Sequence, residues 1–302
     1  MEKLIRLLSP LKKKGLGLYK QNLQRKRIHT YLNSNRQPWT PGYYEYRNQE
    51  LKRMIGDDAT LHLFAQAQTL PQGYGYRLDA RVIEIPWALS RLHPGPSLIL
   101  DAGSSLNTEE ALSSPVLQDK RLIVLTLAPE RYCFWMRGVS YLYGDLRDSD
   151  IRDDRFDQII CISTIEHIGM DNSRYAGIND KFRMGNNWDF PAAVKELRRV
   201  LKPGGSLLIT FPFGRYENHG WFQQFDAVLL DRLIDSFSPA QVNEFYYQYH
   251  PDGWQLSNRE ACSHCEFFDV HTSKYFDSNS SIEYPPDYAA GERAVACIEL
   301  QK

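Results

Sequence analysis

From Ser97 onward, short apolar runs alternate with amphipathic stretches, the signature of a largely parallel sheet covered by helices. Five runs read as strands: Ser97 to Leu100, Leu122 to Leu127, Val139 to Leu142, Gln158 to Ile162 and Ser206 to Phe211. They are short and apolar almost throughout, as suits strands buried on both faces. Helices are predicted at Thr108 to Leu117, Pro129 to Met136 and Phe190 to Leu201, the last halted by Lys202-Pro203-Gly204-Gly205. Farther on, Asp226 to Phe237 reads as a helix, Val242 to Tyr249 as a strand and Ala294 to Leu300 as a terminal strand.

Ahead of this region the pattern differs. Apolar residues between Leu4 and Leu32 recur at helix-like intervals, but Pro10, Gly15 and Gly17 interrupt them, which predicts short helices rather than one long one. Gln37 to Gly75 is rich in aromatics and punctuated by prolines and glycines, with a helix over Tyr44 to Ile55, and reads as a cap or lid. Leu78 to Leu92 reads as a helix with Val82, Ile85, Leu89 and Leu92 on one face, kinked or opened by Pro86. The expected organisation is a basic arm over residues 1–36, a cap over 37–92 and an α/β domain over 93–302.

Charge changes the picture only at the amino terminus. Over 302 residues the formal net charge is −1, with 42% apolar and 24% charged residues, which excludes the disordered and fibrous classes. Yet Lys3, Arg6, Lys12, Lys13, Lys14, Lys20, Arg25, Lys26, Arg27 and Arg36 face only Glu2 in the first 36 residues. Such an arm suits an anionic membrane surface or nucleic acid, or is a solvated extension. No apolar run approaches the ~18 residues of a membrane span, and Met1 to Ser9 lacks a signal-peptide core. The expected location is the cytoplasm, with peripheral membrane attachment through the arm. Cys133, Cys161, Cys262, Cys265 and Cys297 are scattered and odd in number, so reduced, packed thiols are expected. Cys262-Ser263-His264-Cys265 has zinc-ligand chemistry but no second such pair, and no metal is expected.

The chemistry gathers at the predicted strand ends. Leu98-Ile99-Leu100-Asp101-Ala102-Gly103-Ser104-Ser105 ends a strand in an acid and a small-residue turn, where open α/β sheets bind ligands. Gly144-Asp145-Leu146 follows the third strand, Phe156-Asp157 opens the fourth, and Ser163-Thr164-Ile165-Glu166-His167 closes it. Leu197-Arg198-Arg199-Val200-Leu201-Lys202-Pro203-Gly204-Gly205 leads into the fifth. In this order the segments resemble class I S-adenosylmethionine-dependent methyltransferases of the type 11-like group, over about Ser97 to Phe213. The resemblance implies a Rossmann-like, doubly wound, mostly parallel seven-stranded sheet with helices on both faces, and S-adenosyl-L-methionine as cofactor. It also implies that Asp101, Ala102 and Gly103 face the donor's amino-acid moiety, Asp101 accepting from its ammonium, while Asp145 and Leu146 face the adenine. Two positions depart from the family pattern. Thr126 stands where an acid usually holds the ribose, so either Glu130 reaches back or the ribose is held differently, and Ser105 stands where a second glycine is common.

By the same resemblance Ser163 lies next to the donor, His167 is a candidate general base, and Glu166 orients it; the alternative is that Glu166 and His167 form a structural pair. Metal-dependent relatives carry another acid at the position of Ser163, so their metal cluster is incomplete here. The stretch Asp171 to Asp189, with Arg174, Tyr175, Asn179, Asp180 and Arg183, offers acceptor contacts together with Tyr76, Arg77, Phe213 and His219. These groups suit O-methylation of a small polar acceptor such as a sugar, glycan or secondary metabolite. Two alternatives stay open: an RNA methyltransferase, favoured by the basic arm and disfavoured by the near-neutral net charge, and a non-catalytic methyltransferase-like binding module, kept open by Thr126 and the reduced glycine turn. An NAD-dependent oxidoreductase would want G-x-G-x-x-G after the first strand, which this chain lacks.

Overall fold

The computed structural model describes residues 10–176, 186–274 and 276–302. Its strands are β1 (Ser97–Ala102), β2 (Lys120–Thr126), β3 (Ser140–Tyr143), β4 (Phe156–Ile162), β5 (Leu201–Pro212), β6 (Glu217–Asn218), β7 (Gln223–Gln224), β8 (Gln241–His250), β9 (Gly253–Ser257) and β10 (Ala294–Gln301). All but β6 and β7, which pair as a separate hairpin, form one sheet in the order β3-β2-β1-β4-β5-β10-β8-β9. The first five strands run parallel, and β10 lies antiparallel to both β5 and β8. The fold is Rossmann-like, with eight strands in the sheet rather than the expected seven. The eighth is β9, a short return strand that pairs with β8.

The helices are α1 (Pro10–Asn33), α2 (Tyr43–Ile55), α3 (Asp58–Ala65), α4 (Arg81–Leu89), α5 (Glu109–Leu112), α6 (Ser173–Ala176), α7 (Phe190–Val200), α8 (Ala227–Phe237) and α9 (Arg259–Cys262). Strand residues alternate between two buried clusters, as the period of two requires. Ile99, Ile160, Val295 and Cys297 pack with α2, α3 and α4 on one face. On the other face Leu98, Leu100, Ile159, Cys161, Ala296 and Ile298 pack with α7 and α8. In α7 the apolar residues Phe190, Ala193, Val194, Leu197 and Val200 follow helical spacing and are all buried, while Pro191 sits in the first turn, where its missing N–H costs nothing.

Several elements depart from the sequence expectation for identifiable reasons. From Pro10, where the described residues begin, to Asn33 the amino-terminal stretch is one helix rather than several, although Gly15 and Gly17 lie within it; residues 4–9 of the expected helices lie outside the described residues. Pro129 to Met136 forms no α-helix, only a 3-10 turn over Trp135–Arg137. Tyr132, Trp135 and Met136 are exposed and flank the exposed edge strand β3, so no apolar face is available to hold a helix there. The predicted helix after β1 shrinks to α5, capped by the Thr108 hydroxyl, with Pro115 opening a separate 3-10 turn. The Leu-Lys-Pro-Gly-Gly stretch does stop α7, but it also begins β5: Gly204 takes φ 76°, and Gly204 and Gly205 exchange backbone hydrogen bonds with Lys302.

Helix α4 is the largest surprise. It is shorter than expected, and residues Val82 to Leu89 are buried all round rather than on one face. Pro86 in its interior leaves the Val82 carbonyl without its helical donor. The Tyr74 hydroxyl donates to that carbonyl at 2.8 Å and closes the gap. No helix among the described residues is long and apolar enough to cross a membrane.

Candidate active site

A cavity of about 720 Å³ opens at the carboxyl ends of β1 to β4, on either side of the point where strand order reverses. Its walls come from Gly103 and Ser105 after β1, residues 125–131 at and after β2, residues 143–147 after β3, and Ser163, Thr164 and residues 167–170 after β4. Asn172 and Tyr175 add to one side, and Arg81 enters from α4.

The turn after β1 is held from below. Asp101 is fully buried; its two carboxylate oxygens accept from the Ser105 N–H at 3.1 Å and the Leu106 N–H at 2.8 Å. Burial raises its pKa to about 7, opposed by those two donations. Gly103 takes φ 107°, and a Cβ there would lie 2.0 Å from Thr164 Oγ1, so only glycine lets this turn meet the end of β4. The Ser105 hydroxyl donates to the Ile162 carbonyl at 2.7 Å, tying the same two strand ends together. Ser105 thus replaces a glycine with a side-chain tether. Asp101 and Ala102 do not line the cavity: both are buried in the sheet, and Asp101 acts on the turn rather than directly on the cavity surface.

Thr126 and Glu130 both reach the cavity wall, as do Asp145 and Leu146. Leu146 is buried and presents an apolar surface with Leu125 and Leu127. Asp145 accepts from the Arg147 backbone N–H at 2.9 Å and from its guanidinium at 2.7 Å, and Arg147 continues to Asp189 at 2.8 Å. The carboxylate expected to meet a base is therefore braced by a neighbouring arginine.

At the end of β4, Ser163 takes φ 39° and donates its hydroxyl to Glu84 at 2.5 Å. Thr210 Oγ1 donates to the same Glu84 oxygen at 2.7 Å, while Arg81 Nη1 meets the other at 3.3 Å. His167 lines the cavity, and its Nδ1 lies 2.8 Å from the Trp221 carbonyl. A carbonyl only accepts, so Nδ1 carries the hydrogen and the neutral ring bears its lone pair on Nε2. Trp221 and Tyr175 flank the ring at 5.3 and 5.2 Å between centroids. Glu166 is buried, with Oε1 4.0 Å from Nε2, and Oε2 finds no hydrogen-bond partner among the described residues. Burial, with Glu84 nearby, holds its pKa well above the usual carboxyl value. The Trp221 carbonyl thus orients the imidazole through Nδ1.

The expected acceptor residues divide. Tyr175 is on the cavity. Tyr76 and Arg77 are not: Arg77 stacks over Tyr76 and Tyr288, while the adjacent Leu78 carbonyl accepts from Trp254 Nε1, which pins this segment against β9. Phe213 is fully buried against Tyr246. His219 stacks on Phe222 at 4.3 Å and sits 3.5 Å from Glu217, away from the cavity wall. The side chain of Arg174, and all of Asn179, Asp180 and Arg183, lie outside what the structure describes. Among the described residues no group of three or more His, Cys, Asp or Glu is arranged to hold a metal. Cys262 and Cys265 pack as free, buried thiols.

Sequence reading missed Arg81, Glu84 and the Trp221 carbonyl. The first two had a signal: charged residues three apart within an otherwise apolar helix call for a partner. The third had none, since a backbone acceptor leaves no trace in residue identity.

Residues 123–209 match the family model described as a methyltransferase domain. A curated relative, "Probable tRNA methyltransferase 9B" of Bos taurus, is 27% identical over 180 residues, covering 55% of this chain and 33% of that protein. The match thus spans about a third of the relative's length. Among solved structures, the YcgJ protein from Bacillus subtilis aligns with a TM-score of 0.42 at 13% identity, over 72% of this chain and 97% of that one. Burkholderia thailandensis 1,6-didemethyltoxoflavin-N1-methyltransferase, solved with 1,6-didemethyltoxoflavin and S-adenosylhomocysteine, aligns with a TM-score of 0.40 at 13% identity, over 98% and 92%.

Proposed function

We propose that this chain is a class I S-adenosylmethionine-dependent methyltransferase and that it methylates a hydroxyl of a small polar acceptor, a sugar, glycan or secondary metabolite, in the cytoplasm; the methyltransferase-domain match over residues 123–209 supports the first part of that reading. The cavity volume falls in the range of small-molecule sites, and its wall chemistry fits S-adenosyl-L-methionine. The Gly103 turn would take the amino-acid end, Glu130 the ribose, and Leu125, Leu127 and Leu146 the faces of the adenine. When bound, the cofactor supplies an electrophilic methyl group on a sulfonium.

The single observation that carries the acceptor chemistry is His167. Its Nδ1–H is spent on the Trp221 carbonyl, so its basic Nε2 can remove a proton from an acceptor hydroxyl as that oxygen attacks in line. Burial, with Glu84 nearby, favours the protonated form of the neighbouring Glu166. Once an acceptor is found, His167→Ala should lower turnover by about 10²- to 10⁴-fold and leave S-adenosylhomocysteine affinity nearly unchanged. A fully active but destabilised His167→Ala would remove His167 from the mechanism and leave it a structural role.

A second reading, RNA methylation, is favoured by the exposed basic residues Lys20, Arg25, Lys26 and Arg27 of α1 and by the tRNA methyltransferase named among the relatives. In both readings α1 provides peripheral attachment. Salt-dependent tRNA binding that disappears when residues 1–24 are removed would favour RNA. Salt-dependent co-sedimentation with anionic liposomes, lost in the same variant, would favour a membrane surface.

A further inference from the structure

Arg81 is the cavity-wall charge that neither motif nor resemblance assigned. It opens α4, and its side chain reaches the cavity beside Gly103, Ser105, Ser163 and Thr164. Beneath it lies Glu84, fully buried, which takes the Ser163 and Thr210 hydroxyls on one oxygen and Arg81 Nη1 on the other. One edge of the guanidinium is therefore anchored to the core, while the side chain keeps 32% of its surface exposed. Burial works against a charge here, but Glu84, Asp79, Glu292 and Glu166 outweigh it and raise the arginine's pKa. The other arginines of the wall are placed differently: Arg147 is committed to Asp145 and Asp189, and Arg131 is exposed.

A planar cation fixed on one edge, facing a small-molecule cavity with its remaining donors, matches a carboxylate in both charge and geometry. We infer that Arg81 is the carboxylate-binding residue of this cavity. The inference rests on the reading of the cavity as the S-adenosylmethionine site. That site offers two sources of the group: the methionyl carboxylate of the donor, which the neighbouring Gly103 turn favours, or a carboxylate on the acceptor.

The test is calorimetry on the full chain, wild type and Arg81→Met, with S-adenosylhomocysteine and with its decarboxylated analogue, which keeps the amine. Arg81→Met should weaken S-adenosylhomocysteine about 10- to 100-fold and leave the analogue unchanged. Arg81→Lys should recover only part of the loss, and it serves in place of the methionine variant should that one fail to fold. If S-adenosylhomocysteine binding is unaffected, malonate is titrated into the complex; malonate binding by the wild type that Arg81→Met abolishes assigns the carboxylate to the acceptor. Equal weakening of S-adenosylhomocysteine and the analogue, or no change with any of the three probes, overturns the inference and leaves the cofactor site standing. A wild-type chain that binds no S-adenosylhomocysteine takes down the cofactor site and this inference together.

Discussion

Helices α1 and α4 come from the same amino-terminal third and are held in opposite ways. In α1 the described side chains from Gly15 to Arg27 are all exposed, and Ile28 and Tyr31 in its last turns alone among them are buried. In α4 Val82 to Leu89 are buried on every side, and the helix survives an internal proline because Tyr74 supplies the missing donor. Isolated helices are marginal in water, so α4 owes its existence to the core it enters, whereas α1 relies on its own backbone and a short anchor. The difference also sorts chemistry. The buried helix brings Arg81 and Glu84 to the ends of β4 and β5, and the exposed one carries positive charge into solvent.

Glu84→Ala should break this arrangement hardest, because it strands the Ser163 and Thr210 hydroxyls and the Arg81 cation. Removing one partner of a buried pair costs about 3 to 5 kcal/mol, readable by urea denaturation. Leu18→Ala in α1, at an exposed position, should stay within about 0.5 kcal/mol. Equal losses in the two helices would erase the contrast.

Two acids of the α/β domain, Asp101 in β1 and Glu292 just ahead of β10, set a pH dependence that α1 does not share. Asp101 rises from 3.8 to about 7 and Glu292 from 4.5 to about 8, both chiefly through burial. A folded-state pKa above the unfolded value means that the native state binds more protons in between. Stability should therefore fall as pH rises from about 4 to about 8, by on the order of 1 to 4 kcal/mol, and Asp101→Asn should flatten the lower part of that slope. Thermal melts across this range that climb steadily with pH would contradict the burial of these groups.

Smaller effects sharpen the picture. Tyr74→Phe removes the donor that serves the Val82 carbonyl and should cost about 1 to 3 kcal/mol. In a Pro86→Ala background, where residue 86 regains its N–H, the same change should cost measurably less; identical costs in both backgrounds would show that the hydroxyl does not compensate for the proline. Removing residues 1–24 should change stability by less than about 0.5 kcal/mol, since the described side chains lost with them, between Gly15 and Gln24, are all exposed. Extending the deletion through Gln37 should cost several times more, because Tyr31 packs edge-on against Tyr43 at 5.8 Å.

Legibility in the sequence followed the same division between periodic, sheet-covering elements and locally compensated ones. The parallel strands β1, β2, β4 and β5, with α7 and α8, announced themselves because each carries its burial pattern in its own residues, whereas the edge strand β3 is largely exposed. Gly103, Thr126, Glu130, Asp145, Leu146, Ser163 and His167 were placed on the cavity by motif order alone. Tyr76, Phe213 and His219 were misplaced because an aromatic or imidazole group near a sheet edge in sequence is as readily absorbed by packing as offered to a ligand. The helix expected at Pro129 to Met136 failed because periodicity without a surface to cover does not fold.

The most direct test of the cavity as a cofactor site is calorimetric titration of the folded wild-type chain with S-adenosylhomocysteine, alongside Gly103→Ala, whose added methyl would lie 2.0 Å from Thr164 Oγ1. The account predicts one-to-one binding in the micromolar range by the wild type and its severe loss in the variant. No detectable heat from the wild type at millimolar ligand would contradict it.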